Sequence, residues 1–382
     1  MHSAQHAAVK PLLRRPLSEN ARAIDWSTFL NRPLFMPSCL DCDTSMAGKT
    51  VLVTGAGGSI GSVLAERLMG GLAGTLILLD HSQHNLLGLY CKYKERRLTL
   101  PRVEFFHADI LHEAELEEIF STYSPQIVFH AAAMKHVAAL ESNPFQALEN
   151  NVLGTLRILG LVDSWEVEHF VNVSTDKAVN PTSVLGVSKR ISELLLLAMK
   201  SVATRRISLR LGNVLGSSGS VVPLFLQSLE DHLPLQITDP QASRFFLTLE
   251  EAAAFLLKTL EIGSGLLLPE MGSPLRITEL ADFLLNELPA DICGKLLNFT
   301  GLRDGEKLSE QLTYDYERRE NTSVHQLYKI NGNATLDNDE FADNLGRLLD
   351  LIVDRREAGV IKALSRLVPE FKPSATLLRY VH

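Results

Sequence analysis

The residues best equipped for chemistry are an adjacent carboxylate and amine, Asp176 and Lys177, closing the string Val173-Ser-Thr-Asp-Lys177. The apolar run before them reads as a strand, and open α/β sheets hold their ligands at the carboxyl ends of strands. A carboxyl and an amine side by side can act as general acid and base, provided burial moves both pKa values toward neutrality. When both are charged, each pushes the other the wrong way. The same pair therefore also reads as a solvated surface ion pair.

A second constellation binds rather than reacts. In Val51-Leu-Val-Thr-Gly-Ala-Gly-Gly-Ser-Ile-Gly61, glycines stand at 55, 58 and 61 between an apolar run and a helical pattern. Gly55 permits a tight turn, Gly58 lets backbone approach a pyrophosphate, and Gly61 allows close helix–strand packing. The phosphates then sit at the positive end of a helix beginning near Ser59 and Ile60. Asp80 follows about 20 residues after the loop, where a carboxylate accepts from ribose hydroxyls and repels a 2′-phosphate. The expected cofactor is NAD rather than NADP. Two further strand ends fit: Asp109-Ile110, with a carboxylate for adenine, and Ala131-Ala132-Ala133, small enough to leave room. The alanines read equally as core packing.

Positioning these residues requires alternating strands and helices. Strands are expected at 50–54, 75–79, 103–106, 126–129, 169–173 and 207–211. Helical spacing links Ile60 to Leu68, Phe145 to Leu159 and Val187 to Ala198. The fold class that follows is α/β, a Rossmann-type doubly wound parallel sheet with a smaller C-terminal substrate-binding lobe. The division expected is an N-terminal extension over 1–48, with one short helix near Asp25 to Leu30, and a NAD-binding domain over 49–215. The third part, 216–382, is mainly the lobe and a helical tail, with some segments returning to the sheet. A strand and then a helix are expected over 246–260, and a helix over 277–288 stopped by Pro289.

Composition excludes several classes. Hydrophobic residues make up 46% of the 382 and charged ones 21%, which rules out disorder throughout. A net charge of −8 gives no counterion-release drive toward nucleic acid or anionic lipid. No apolar stretch approaches the roughly 20 residues of a membrane helix, and no secretory h-region opens the chain. The expectation is a cytoplasmic protein without a membrane segment or nucleic-acid partner. Cys39 and Cys42 have C-x-x-C spacing but no second ligand pair and no helix-opening position, so no metal is expected and the cysteines read as incidental.

The strings identify a resemblance. Thr54-Gly-Ala-Gly-Gly-Ser-Ile-Gly61, Leu79-Asp-His-Ser82, His130-Ala-Ala-Ala-Met-Lys-His-Val137 and Asn151-Val-Leu-Gly-Thr155 carry its first half. Ser174-Thr-Asp-Lys-Ala-Val-Asn-Pro-Thr182, Gly212-Asn-Val-Leu-Gly-Ser217 and Gly301-Leu-Arg-Asp-Gly-Glu-Lys-Leu308 carry its second. Leu367-Val-Pro-Glu-Phe371 resembles the C-terminal end of the larger members. The chain resembles the extended short-chain dehydrogenases/reductases, and within them the polysaccharide-biosynthesis group of UDP-N-acetylglucosamine 4,6-dehydratases. Small members carry tyrosine where this chain has Leu185, and large members commonly carry methionine there. Asp304 stands for a usual proline and Phe245 for a usual tyrosine.

The resemblance implies NAD-dependent oxidation at C4 of a UDP-sugar, loss of water across C5 and C6, and hydride return to C6. It makes Lys177 the base and Asp176 the acid. Lys189 becomes the ribose ligand, and Thr175 or a water near Lys189 handles the C4 proton. It adds Ser82 to the cofactor side and Lys135, Asn213, Arg244 and Glu306 to the substrate side. Arg244 offers a bidentate fork to a pyrophosphate, against a bland reading as surface arginine. Histidines 81, 130 and 136 read as structural. Tyr90 to Lys94 repeats the Tyr-x-x-x-Lys spacing on a helix away from the strand ends, and is set aside. The partners expected are a UDP-sugar and further copies of the chain in a homo-oligomer. Two rivals stand beside the dehydratase: a sugar-nucleotide 4-epimerase, which depends on the missing tyrosine, and a catalytically silent binding protein.

Overall fold

The computed structural model describes residues 24–37, 44–96, 101–199, 203–287, 296–332 and 337–380. Cys39, Cys42, Cys293, Leu288 and Pro289 lie outside them, as does the first part of the expected extension.

Nine strands form the main sheet. They are β1 (Thr50–Thr54), β2 (Thr75–Asp80), β3 (Arg102–His107), β4 (Ile127–His130), β5 (His169–Thr175), β6 (Arg205–Leu211), β7 (Gly265–Pro269), β8 (Arg318–Asn321) and β9 (Leu327–Asn331). The spatial order is β8-β9-β7-β6-β5-β4-β1-β2-β3. All pairings from β3 to β7 are parallel, while β9 joins β7 and β8 antiparallel at one edge. Parallel central strands are covered on both faces, so they read as unbroken apolar runs. Alternation then divides one strand between two cores. Leu52 and Ile77 point into one cluster; Val51, Val53, Leu76 and Leu78 point into the other. The first cluster packs under the helices Glu113–Tyr123, Gly154–Ser164 and Val184–Ala198, the second under Ser59–Leu68 and Leu249–Lys258.

The helical pattern from Phe145 to Leu159 is not one regular helix. Pro144–Leu148 runs into a single π turn, Glu149–Leu153, before Gly154–Ser164 resumes. Such a turn inserts a residue and re-aims the side chains beside it. A smaller lobe lies after β6. Its core joins Phe225, Leu226 and Leu229 of the Val221–Glu230 helix to Leu280 and Leu284 of Ile277–Glu287. The short Trp26–Leu30 helix, capped by Asp25, buries Phe29 and Leu30 in the same cluster. Ile24, Trp26 and Leu34 pack against that cluster too, while Phe35 stacks on Phe255 of the second core. Among the described residues, no helix is long and apolar enough to cross a membrane.

Candidate active site

Strand order reverses between β1 and β4, which opens a crevice at their carboxyl ends. Gly55 leaves β1 with φ of +68°, and a Cβ there would stand 2.6 Å from the Ala132 backbone at the exit of β4. A Cβ on Gly61 would come within 2.1 Å of the Gly55 carbonyl oxygen. Turn, helix and neighbouring strand meet with no room for a side chain. The Ser59–Leu68 helix begins at Gly58 without a side-chain cap, leaving its first N–H groups to an acceptor from outside. Ser59 Oγ accepts from Lys135 Nζ at 3.2 Å and from the Ser218 amide at 2.9 Å, tying the loop to the smaller lobe. Ile60 packs beside the second core cluster.

The wall of the crevice brings Gly55, Gly58, Asp80, Asp109, Ile110 and Ala131 to Ala133 together. Asp80 is 3% exposed, and its two oxygens hold two loops. Oδ2 accepts from the Gly57 amide and Oδ1 from the Ser82 amide, each at 2.8 Å. Each carboxylate oxygen keeps a second lone pair for a hydroxyl. Ser82 Oγ in turn accepts from the Asn85 amide at 3.3 Å, opening the Gln83–Arg96 helix. Asp109 Oδ1 accepts from the Leu111 amide at 2.9 Å, and Ile110 is buried.

At the end of β5 the chain turns sharply over Asp176–Ala178. Thr175 Oγ1 accepts from the Lys177 amide at 3.4 Å and donates to Asp176 Oδ1 at 2.9 Å. Lys177 Nζ donates to Asp176 Oδ1 at 3.0 Å and to Asn213 Oδ1, just beyond β6, at 2.8 Å. Glu310 Oε1 lies 3.7 Å from the same ammonium. The surface reading of the pair fails, because Asp176 is fully buried. Its Oδ2 has no hydrogen-bond partner among the described residues. Burial raises the Asp176 carboxyl above its ordinary value against the pull of Lys177, and the charge on Glu310 adds to the rise. The expected fall at Lys177 does not occur. Burial works to lower it, but Asp176 and Glu310 outweigh burial and hold the ammonium above its usual range.

Lys189 sits one turn beyond Leu185 on the Val184–Ala198 helix and is 4% exposed. Its Nζ donates to the Val173 carbonyl at 2.8 Å, and burial brings its pKa down to about 8. Leu185 is itself buried and supplies no hydroxyl. His130 is structural: its ring nitrogens meet Thr54 Oγ1 at 2.8 Å and Thr155 Oγ1 at 3.0 Å, and burial lowers its pKa to about 3. Tyr90 lies on an outer helix, edge-on to Phe105 with Lys94 over its ring, apart from the strand ends.

Arg244, expected on the substrate side, is 4% exposed, so it is no surface arginine. Its guanidinium donates to Glu306 Oε1 at 2.7 Å and to the carbonyls of Ser243 and Leu308 at 2.8 and 3.0 Å. Glu306 thus meets Arg244 rather than the Asp176–Lys177 pair. Sequence reasoning missed Glu310, which follows the Gly301–Leu308 string without a motif of its own. It also gave no role to Asn151 within its string. The π turn aims Asn151 at the loop after β4, where it bonds both the amide and the carbonyl of Met134 at 2.9 and 3.1 Å. Asn151 Nδ2 also donates to Ser188 Oγ at 3.1 Å, joining that loop to the Lys189 helix.

Capsular polysaccharide biosynthesis protein CapD of Staphylococcus aureus is 36% identical over 296 residues, covering 74% of this chain and 48% of that one. The chain therefore spans about half the length of that relative. The UDP-N-acetylglucosamine 4,6-dehydratase (inverting) of Campylobacter jejuni (strain 81-176) is 31% identical, covering 71% of this chain and 81% of its own. The UDP-glucose 4-epimerase of Rickettsia rickettsii is also 31% identical, covering 74% and 82%. Among solved structures, dTDP-glucose 4,6-dehydratase DesIV of Streptomyces venezuelae superposes with a TM-score of 0.59 at 24% identity, covering 69% and 88%. The model of the family described as polysaccharide biosynthesis protein matches residues 51–332, and the chain belongs to that family.

Proposed function

We propose that the protein is a nucleotide-sugar 4,6-dehydratase that uses NAD and acts on UDP-N-acetylglucosamine or a close relative. The observation that carries this reading is the buried Asp176–Lys177 pair at the carboxyl end of β5, bonded across to Asn213. An epimerase exchanges a hydride at C4 and has no use for an acid and a base at neighbouring carbons. The glycine cradle fits a dinucleotide, since side chains at Gly55 and Gly61 would strike the backbone of Ala132 and Gly55 and force apart the tight turn and close helix packing that such a site uses. Gly58, Ser59 and the first helical amides would hold the pyrophosphate, Asp80 the adenosine ribose and Lys189 the nicotinamide ribose. Ala131 to Ala133 would leave room for the rings. When bound, NAD supplies a hydride acceptor at C4 and a donor at C6.

The chain's own part is proton handling. A ketone at C4 acidifies the proton at C5, which Lys177 would take as the neutral amine. Asp176 would give its proton to the C6 hydroxyl as water leaves. One proton passing along the 3.0 Å bond from Lys177 to Asp176 creates both forms at once. Burial works toward that neutral pair, but Asp176 and Glu310 hold the resting Lys177 as the ammonium, so the transfer would belong to the substrate-bound site. Thr175, already bonded to Asp176, or a water near Lys189 would take the place of the tyrosine absent at Leu185. Lys135, Arg244 and Glu306 would line the path of the nucleotide diphosphate.

The deciding experiment follows product mass after incubation with UDP-N-acetylglucosamine. Loss of one water is the expected result. An isomer at unchanged mass would favour the epimerase, which the Rickettsia relative represents. No turnover would favour a binding protein.

A further inference from the structure

Two charges at hydrogen-bond distance normally stabilise each other as ions, which would leave Asp176 ionised and useless as an acid. Glu310 changes this balance. It is 6% exposed, in a segment of the smaller lobe far from Asp176 in sequence. Its Oε2 takes the Lys307 ammonium at 2.9 Å, while its Oε1 faces Lys177 Nζ at 3.7 Å. Lys307 is fixed in turn by donating to the Val179 carbonyl at 2.7 Å, directly after the Asp176–Ala178 turn. The carboxylate is thus braced against the very turn whose lysine it faces.

We propose that Glu310 is a positioning residue of this site: its buried carboxylate, anchored on Lys307, shares the Lys177 ammonium with Asp176 and leaves the Asp176 carboxyl free to hold a proton. The groups facing the trio are few. Asp176 meets Thr175, Lys177 and Glu310; Lys177 meets Asp176, Glu310, Asn213 and, at longer range, Arg244; Glu310 meets Lys177, Lys307 and Arg244. Burial works to raise Glu310, but Lys177 and Lys307 outweigh it and keep it ionised. An ionised Glu310 disfavours a second negative charge on Asp176. The unbonded Asp176 Oδ2 agrees, because a buried anionic oxygen without a donor is costly and a protonated one is less so. Lys177 is held in place by two carboxylates, so it keeps an anionic neighbour when Asp176 is neutral.

The catalytic meaning of this assignment rests on the dehydratase reading, but the electrostatic claim does not. It is tested on the full chain carrying ¹³C-carboxyl aspartate, with the Asp176 signal assigned by its loss in Asp176→Asn. In Glu310→Gln the Asp176 titration midpoint should fall by about one pH unit, within the usual effect of a neighbouring charge. Glu310→Asp, which keeps the charge but withdraws it, should give a smaller fall. If neither variant moves the midpoint, the proposal is overturned. Should Glu310→Gln fail to fold, Glu310→Asp carries the same test. With UDP-N-acetylglucosamine, removing Glu310's charge lowers the proton affinity of both Asp176 and Lys177. Both limbs of the kcat–pH profile should then move to lower pH. A fall in kcat with unmoved limbs would mean a merely structural glutamate and would overturn the proposal. A moved midpoint in a protein that turns over no sugar nucleotide would uphold Glu310's role and sink the dehydratase reading alone.

Discussion

At the scale of single residues, the proposed chemistry turns on two carboxylates in different surroundings. Asp80 is engaged by two backbone amides, so its orientation is fixed before any ribose arrives. Replacing it with Ala frees both amides and removes the repulsion of a 2′-phosphate. Asp80→Ala should weaken NAD more than NADP, measured by titrating each nucleotide; a wild type that binds NADP tighter would refute the assignment. Asp176 and Lys177 lie in the opposite condition: burial raises the Asp176 carboxyl, while Asp176 and Glu310 outweigh burial at Lys177. Asp176→Asn and Lys177→Met should each slow water loss by about 10²–10⁴, the range for a positioned acid or base, while NAD stays bound. Deuterium exchange from solvent at C5 separates them. The Lys177 variant should lose exchange, whereas the Asp176 variant keeps it and fails to expel the C6 hydroxyl. Wild-type rates in both would make the pair structural.

At the scale of elements, what local spacing encodes was legible and what depends on distant packing was not. The six strands from Thr50 to Leu211 are apolar runs bounded by turn residues, and each stands where its run does. β7 to β9 were legible only as unlocated segments returning to the sheet, because their places are set by pairing, β7 with β6, β9 with β7 and β8 with β9, not by their own pattern. The π turn was invisible for a similar reason: Phe145 to Leu159 keeps helical spacing, and the extra residue is accommodated by what Asn151 bonds to. The glycine loop and the Asp176–Lys177 pair were readable because each is contiguous. Glu310 was not, because a whole lobe separates it from Lys177 in sequence. Asn151 predicts most at this scale. Asn151→Ala leaves the Met134 amide and carbonyl and the Ser188 hydroxyl without that partner, inside the protein. A loss of about 1–3 kcal/mol should follow, read from urea unfolding. NAD affinity should fall with it, since the loop from Ala131 to Ala133 loses its anchor. An unchanged urea midpoint would show that the π turn is held by something else.

At the scale of the whole molecule, the C-terminal tail is joined to the helix that carries Lys189. Phe341, Leu345 and Leu348 of Asn338–Val353 and Ile361, Leu364 and Leu367 of Val360–Leu367 share one core cluster with Ile191, Leu194 and Leu195. The chain then crosses the mouth of that helix. The Lys372 amide donates to the Pro181 carbonyl at 2.9 Å, and Ser374 Oγ bonds Glu141, whose other oxygen accepts from the Val184 amide at 2.7 Å. The Thr376 amide reaches Asp304, the residue standing for the family's usual proline, at 3.1 Å. Three segments that converge on the site are therefore clipped by one stretch of tail. The exposed Asp304 contact is worth little, of order 1 kcal/mol. The buried leucines carry the energy: Leu364→Ala should cost about 2–5 kcal/mol. Its location matters more than its size. If tail and helix form one cooperative unit, amides of Val184–Ala198 should exchange faster in Leu364→Ala along with those of the tail, and NAD should bind more weakly. Faster exchange confined to residues 337–380, with the Lys189 helix still protected, would show the tail to be an appendage.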